Sequence, residues 1–231
     1  MSDITLPPLS RRTFLSAGSL AAAAALAGCA TTSAPPDVPA PERPEPRPDP
    51  SFVSMYRAMP EELFPLPAVD LSRVNPKFYR RLVDDPTGEQ PGTIVVDTSS
   101  FYLYLVQPGG KAMRYGVGLG RAGFAWSGRA QILWKQVWPK WTPPDEMIAR
   151  QPELARWSAD NGGMPPGLEN PLGARALYIF EGNVDTLYRI HGSPEWWTIG
   201  KAVSSGCVRM INQDVIDLYE RVPTRTPIVV R

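Results

Sequence analysis

Between Thr31 and Pro50 the chain reads TTSAPPDVPAPERPEPRPDP, and this stretch sets the limits on what can fold. Proline has no amide hydrogen and fixes φ, so a proline at almost every second or third position forbids helix and sheet alike. Scarcely any large apolar residue is present to seed a core. The segment is expected to extend as polyproline II at roughly 3.1 Å per residue, a reach of up to about 60 Å. It serves either as a spacer that carries a folded part away from an anchor or as a passive tether. With 27 prolines in 231 residues, against a usual share of about 5%, much of the chain must be loop or linker. The remainder suffices for one domain of ordinary size and not for two.

The residues before this segment read as an address. Ser10-Arg11-Arg12-Thr13-Phe14-Leu15 precedes an alanine-rich apolar run from Leu15 to Ala27, the charged and apolar regions of a secretory signal. The run is too short to span a bilayer, which takes about 20 apolar residues. Paired arginines followed by Phe14 and Leu15 resemble a twin-arginine export signal, with Ser16 where lysine is common. Leu26-Ala27-Gly28-Cys29 resembles the bacterial lipobox, whose cysteine is acylated and becomes the first residue after cleavage. The alternative is an ordinary secretory signal cut among the alanines. The expected organisation is therefore an export signal over 1–28, a Pro-rich linker over 29–50 and an acyl anchor at Cys29. Removing residues 1–28 deletes Arg11, Arg12 and Asp3, which leaves 24 − 2 = 22 basic and 23 − 1 = 22 acidic side chains. With no polybasic patch, stable membrane attachment would need more than one acyl chain.

Composition narrows the chemistry. Lys plus Arg number 24 against 23 Asp plus Glu, so no basic field gathers phosphates and no nucleic-acid partner is expected. Two cysteines (Cys29 and Cys207) and one histidine (His191) exclude a zinc cluster of Cys and His ligands, so no metal is expected. A Cys29–Cys207 disulfide is formally possible, but acylation of Cys29 would leave Cys207 as a thiol.

Residues 51–90 carry scattered apolar anchors such as Phe52, Met55, Tyr56, Leu63 and Phe64 and are expected to wrap the domain that follows, with a short helix over Asn75 to Val83. From Pro91 the pattern turns to short β-rich runs broken by turn residues: Thr93 to Asp97, Tyr102 to Gln107, a Pro108-Gly109-Gly110 turn, and Ala112 to Leu119, read as a hairpin. Further strands are expected at Ala130 to Val137, Ala176 to Phe180, Leu187 to Ile190 and Pro227 to Val230. Val215, Ile216, Leu218 and Tyr219 recur at helical spacing and predict a helix over Asn212 to Arg221 with Asn212 as N-cap. The connection from Pro139 to Arg175 is far longer than a hairpin loop of about 2 to 5 residues and reads as a lid, with helical turns at Met147 to Arg150 and Glu153 to Ser158.

The chemistry concentrates in Tyr188-Arg189-Ile190-His191-Gly192-Ser193 and Ser204-Ser205-Gly206-Cys207-Val208-Arg209-Met210. A thiol attacks as thiolate, and a neighbouring imidazole can take its proton. Gly206 lets the backbone turn tightly, so that the amides of Gly206 and Cys207 could point at one developing oxyanion. From residue types alone, a lone Cys is more often a small core hydrophobe than a nucleophile, and a lone His is usually a satisfied structural residue.

Taken together, these two stretches resemble the active-site signature of the YkuD-type L,D-transpeptidases. The likeness extends through Gly116-Val117-Gly118, Trp126-Ser127-Gly128, Trp141-Thr142-Pro143-Pro144 and Asn170 to Tyr178, and it covers roughly residues 91–231. It implies a mostly β, sandwich-like catalytic domain with a small helix and a long lid, with Cys207 as nucleophile, His191 as base and the backbone of Ser205, Gly206 and Cys207 as oxyanion hole. Many members have His where this chain has Ser205; the base is still assigned to His191, and Ser205 still offers a backbone amide. The implied reaction transfers the acyl group of a peptidoglycan stem peptide through a thioester at Cys207, releasing D-alanine and cross-linking to an amine. It calls for no organic cofactor. Tyr188, Gly192, Ser204 and Arg209 are candidates for substrate contact, Arg209 either by pairing with a substrate carboxylate or by locking the loop. Trp126, Trp138, Trp141, Trp196 and Trp197 either wall a peptide groove or pack. The expected setting is a membrane-anchored monomer on the periplasmic or cell-envelope side. The rival readings are a non-catalytic peptidoglycan-binding lipoprotein, an L,D-carboxypeptidase with water as acceptor, and a thiol redox protein.

Overall fold

Short β-branched and aromatic runs become strands where their backbone edges find partners. The computed structural model describes residues 49–120, 126–204 and 206–231, and the export signal, Cys29 and nearly all of the Pro-rich linker lie outside them. Among the described residues the strands are β1 (Arg81–Asp84), β2 (Ile94–Asp97), β3 (Tyr102–Gln107), β4 (Lys111–Gly116), β5 (Leu119–Gly120), β6 (Gly128–Val137), β7 (Arg175–Glu181), β8 (Val184–Gly192), β9 (Ala202–Ser204), β10 (Val208–Met210) and β11 (Thr226–Val230). The helices are α1 (Pro50–Met55), α2 (Asp145–Arg150) and α3 (Asn212–Arg221).

Nine strands form one sheet in the order β1-β4-β3-β2-β11-β6-β7-β8-β10, and β5 pairs with β9 in a second. Beyond β4, Gly118 exchanges both backbone hydrogen bonds with Arg209 of β10, at 2.9 and 2.8 Å. One end of the large sheet is thereby tied to the other, so the sheet curls on itself. The mostly β, sandwich-like domain expected from the sequence is seen, with its layers supplied by opposite ends of one curled sheet.

Helix α3 fills the curl. Val215 and Leu218 of α3, with Val222 just past it, are buried among Ile132, Leu177, Ile179, Ile190, Val208 and Met210. Each such side chain contributes about 1.5–3 kcal/mol of burial. Lys135 of β6 donates to the carbonyls of Tyr219 (2.6 Å) and Val222 (2.5 Å). A cation on the last carbonyls of a helix satisfies orphan acceptors and meets the negative end of the dipole.

Residues 49–80 pack on the domain through Tyr56, Val69, Leu71, Val74, Phe78 and Tyr79, which enclose Ile199 and Ile211. Glu62 forms a paired contact with Arg175, at 2.6 and 2.9 Å, and accepts from Trp138 Nε1 at 2.9 Å. Both charged side chains are about one-tenth exposed, so removing one alone would strand a buried charge at a cost of about 3–5 kcal/mol.

Two expectations need correction. The helix over Asn75 to Val83 is only a 3-10 turn at Pro76–Phe78, capped by Asn75 Oδ1 on the Lys77 amide (3.1 Å). The chain then extends into β1, because ladder bonds to β4 replace those a helix would make. Helix α3 has the expected bounds, but Ile211 occupies its N-cap position without a side-chain cap, and the Asn212 amide is engaged elsewhere. Of the two readings open for Trp138, packing holds: it is 3% exposed and lies in the core beside Leu66, Ala174 and Ile216.

Candidate active site

Strands β8 and β10 run parallel, with Val208 opposite Ile190, Arg209 opposite His191 and Met210 opposite Gly192. Successive side chains on a strand point to opposite faces. Ile190, Val208 and Met210 are buried in the core, so His191 and Arg209 project from the other face. Arg189 shares that face, and Cys207 stands immediately before β10. Backbone at Arg189 hydrogen-bonds to the Cys207 thiol, and the guanidinium groups of Arg189 and Arg209 act on both Cys207 and His191. The sheet register thus brings together the histidine and the cysteine singled out by the sequence, although sixteen positions separate them.

His191 is 5% exposed, and its Nδ1 lies 2.6 Å from the Gly192 carbonyl oxygen. A carbonyl only accepts, so Nδ1 carries the hydrogen and Nε2 keeps the lone pair. Burial lowers the imidazole pKa to about 4 against the support of the Gly192 carbonyl; Arg209 and Arg189 depress it further and the Pro171 carbonyl opposes. At neutral pH the ring is therefore an uncharged base. Burial pushes the half-buried Cys207 thiol up, while the Arg189 backbone and the charges of Arg189 and Arg209 pull it down. Thiol and imidazole both rest neutral, so proton transfer must accompany attack.

Gly206 has φ +145°, a conformation L side chains rarely adopt, and a Cβ there would lie 3.4 Å from Tyr188 Cε1. That is the local reason for glycine before the thiol. Tyr188 is half-buried and packs against the core. Arg209 donates to Glu195 at 2.7 Å, the contact expected of a loop-locking residue. Gly192 is buried, Ser204 ends β9, and Ser205 lies outside the described residues.

The remaining tryptophans divide. Trp126 packs against the core, Trp141 forms a backbone bridge with Met164 in the lid, and Trp196 and Trp197 stand edge to face (5.4 Å) under Arg73. In the lid, α2 and the 3-10 helix Pro152–Trp157 have no buried residue. No group of His, Cys, Asp and Glu among the described residues could hold a metal.

The tertiary roles of two asparagines are not evident from the sequence. Asn170, 1% exposed, donates to the Pro139 (3.1 Å), Met164 (3.3 Å) and Pro165 (3.0 Å) carbonyls, joining the lid to the turn that holds Pro171 against the imidazole. Asn212 accepts from the Ala174 amide at 2.9 Å and donates to the Ser193 carbonyl at 3.4 Å. Its place at a helix start read as a cap, and no local signal announced a partner 38 residues away.

A profile of the YkuD family, the L,D-transpeptidase catalytic domain, matches residues 91–230. "Probable L,D-transpeptidase YbiS" of Escherichia coli K12 is 33% identical over 138 residues, which are 58% of this chain and 42% of that protein. "Probable L,D-transpeptidase YcfS" of the same organism is 29% identical over 139 residues, with the same coverage of each. The chain thus spans less than half the length of these relatives. A solved Brucella melitensis protein named "Probable carnitine operon oxidoreductase caia" is 47% identical, with a TM-score of 0.48, over 67% of this chain and 94% of that one. An L,D-transpeptidase from Mycobacterium smegmatis is 20% identical with a TM-score of 0.40, over 60% and 58%. Because the profile covers more than half of its residues, the chain belongs to the YkuD family of L,D-transpeptidase catalytic domains.

Proposed function

We propose that the chain is an exported, lipid-anchored enzyme that transfers the acyl group of a peptidoglycan stem peptide to an amine through a thioester at Cys207. The observation that carries this reading is the bond from His191 Nδ1 to the Gly192 carbonyl, on the strand beside the one that Cys207 opens. It fixes the tautomer that leaves Nε2 as base. The Cys207 sulfur attacks the carbonyl of the L-centre residue at its bond to the terminal D-alanine, and its proton passes to His191. Backbone amides of Ser205, Gly206 and Cys207 stabilise the oxyanion. The C–N bond breaks, the imidazolium returns the proton to the departing D-alanine amine, and the thioester remains. An amine of a second stem then displaces the thiol and forms the cross-link. Arg209, Tyr188, Gly192 and Ser204 are the candidates for contact with the stem peptide.

Acylation at Cys29 would hold the enzyme at the membrane while residues 31–50 carry the domain toward the wall. No helix among the described residues is long and apolar enough to cross a membrane. A thiol redox role needs a second thiol near the first, and Cys207 is the only cysteine among the described residues.

Intact-mass measurement after exposure to a carbapenem tests the nucleophile. One adduct is expected on the wild type and none on Cys207→Ser, whereas an unmodified wild type would overturn the reading in favour of a binding protein. Incubation with a tetrapeptide stem and an amine acceptor then separates transpeptidation from hydrolysis, since cross-linked product is expected and tripeptide alone would make the enzyme a carboxypeptidase.

A further inference from the structure

We infer that Asn212 is a positioning residue for His191, acting as a side-chain rung that closes the β7–β8 ladder beside the imidazole and holds the Gly192 peptide in place. The inference rests on the proposed role of His191 as base.

The antiparallel ladder of β7 and β8 pairs Ala176 with His191, so two steps further along that register residue 174 stands opposite residue 193. They do not bond to each other directly there. The Asn212 amide lies between them, with Oδ1 accepting from the Ala174 amide (2.9 Å) and Nδ2 donating to the Ser193 carbonyl (3.4 Å). A side-chain amide offers the same donor and acceptor as a peptide, so Asn212 takes the place of the missing direct rung between residues 174 and 193. Ala174, Ser193 and Asn212 are 0%, 2% and 8% exposed, so water is poorly placed to substitute.

The two glycines at this point follow from the same insertion. A Cβ at Gly192 or at Gly173 would overlap Asn212 Oδ1. Gly192 is the residue whose carbonyl fixes the imidazole tautomer, so the amide packs on the peptide that orients the base. Movement of Asn212 frees that peptide to turn, and the base with it.

Asn212 is in turn anchored from outside the family match. Helix α3 has no side-chain N-cap, and its first turn is held by residues 49–80 instead. Gln213 donates to the Arg57 (3.2 Å) and Pro67 (3.0 Å) carbonyls, and Tyr56 donates to Asp214 (3.1 Å). The N-terminal segment thus fixes the turn from which Asn212 reaches the base loop.

The test compares carbapenem acylation of Cys207 in the wild type, His191→Ala, Asn212→Ala and Asn212→Asp across pH, with a thermal unfolding curve for each. Asn212→Ala is expected to lower the maximal acylation rate by about 10-fold or more at pH 7 with little change in half-saturating carbapenem, since misplacement of a base by about 1 Å costs up to about 10²-fold. Its acid limb is expected to move upward from that of the wild type, a change that lost stability alone would not produce. Asn212→Asp keeps the acceptor for Ala174 and loses the donor, so an intermediate rate is expected; it carries the test by itself if the alanine variant does not fold. Asparagine variants within about twofold of the wild type in rate, with an unmoved acid limb, would overturn the inference if His191→Ala still acylates slowly. A His191→Ala protein that acylates like the wild type would instead overturn the assignment of the base.

Discussion

Two buried groups hold their protons at the wrong pH, in opposite senses, and their effects on stability should cancel in the wild type. His191 drops from its ordinary 6.5 to about 4 because it is buried. Asp214 of α3, 0% exposed, rises from 3.8 to about 7, because burial outweighs the Arg80 guanidinium, which lies 3.7 Å from Asp214 and nearer, at 3.1 Å, to Asp217. For His191 the unfolded chain binds the extra proton, so stability present above pH 6.5 is lost as pH falls toward 4. At about 1.36 kcal/mol per pKa unit, that loss is on the order of a few kcal/mol. For Asp214 the folded chain binds the extra proton, so stability is lost as pH rises from 3.8 to about 7, by an amount on the order of a few kcal/mol on the same conversion. Between pH 4 and 6.5 the two slopes oppose. His191→Ala should therefore expose a stability that falls with rising pH, and Asp214→Asn one that rises, each by about 1.36 kcal/mol per pH unit relative to the wild type. Urea unfolding of the three proteins at half-unit pH steps measures this, and the other carboxylates cancel because all three share them. Three parallel curves would refute the burial argument for both groups.

Much of the frame was legible because it rests on local chemistry. Gly109 and Gly110, at φ +76° and +66°, turn the hairpin where Pro108-Gly109-Gly110 predicted it, and the apolar spacing of Val215 and Leu218 placed α3. The pair of His191 and Cys207 was marked by scarcity and by resemblance, while its juxtaposition depends on the parallel register of β8 and β10, which no short-range pattern encodes. Asn75 to Val83 misled because Pro76 opens a helical turn as readily as a helix, and the outcome was decided by β4, about 30 residues later. Strand β10 was missed because its three residues are too few for a periodicity, and two of them are buried on one face. Asn212 looked like a cap because asparagine at a helix start usually is one; here tertiary demand from Ala174 and Ser193 took the amide away.

Cys29→Ala should move the protein out of the membrane fraction on cell fractionation, and unchanged partitioning would point to another anchor. Gly192→Ala should lower stability by about 1–3 kcal/mol in urea unfolding, because its Cβ overlaps Asn212 Oδ1; adding Asn212→Gly should recover part of that loss, and no recovery would place the strain elsewhere. The last expectation concerns how the thiol is activated. With His191 lowered to about 4 and Cys207 raised, the resting pair is uncharged at pH 7, and the base needs only to be deprotonated to act. Acylation by a carbapenem should therefore run level through the neutral range and fall tenfold per pH unit only below about 4. A preformed thiolate and imidazolium would behave differently, since activity would then require a protonated ring and would decline as that ring lost its proton. A fall in rate as pH rises through the neutral range would refute the neutral pair, whereas an acid limb at His191's ordinary 6.5 would refute the view that burial lowers the base.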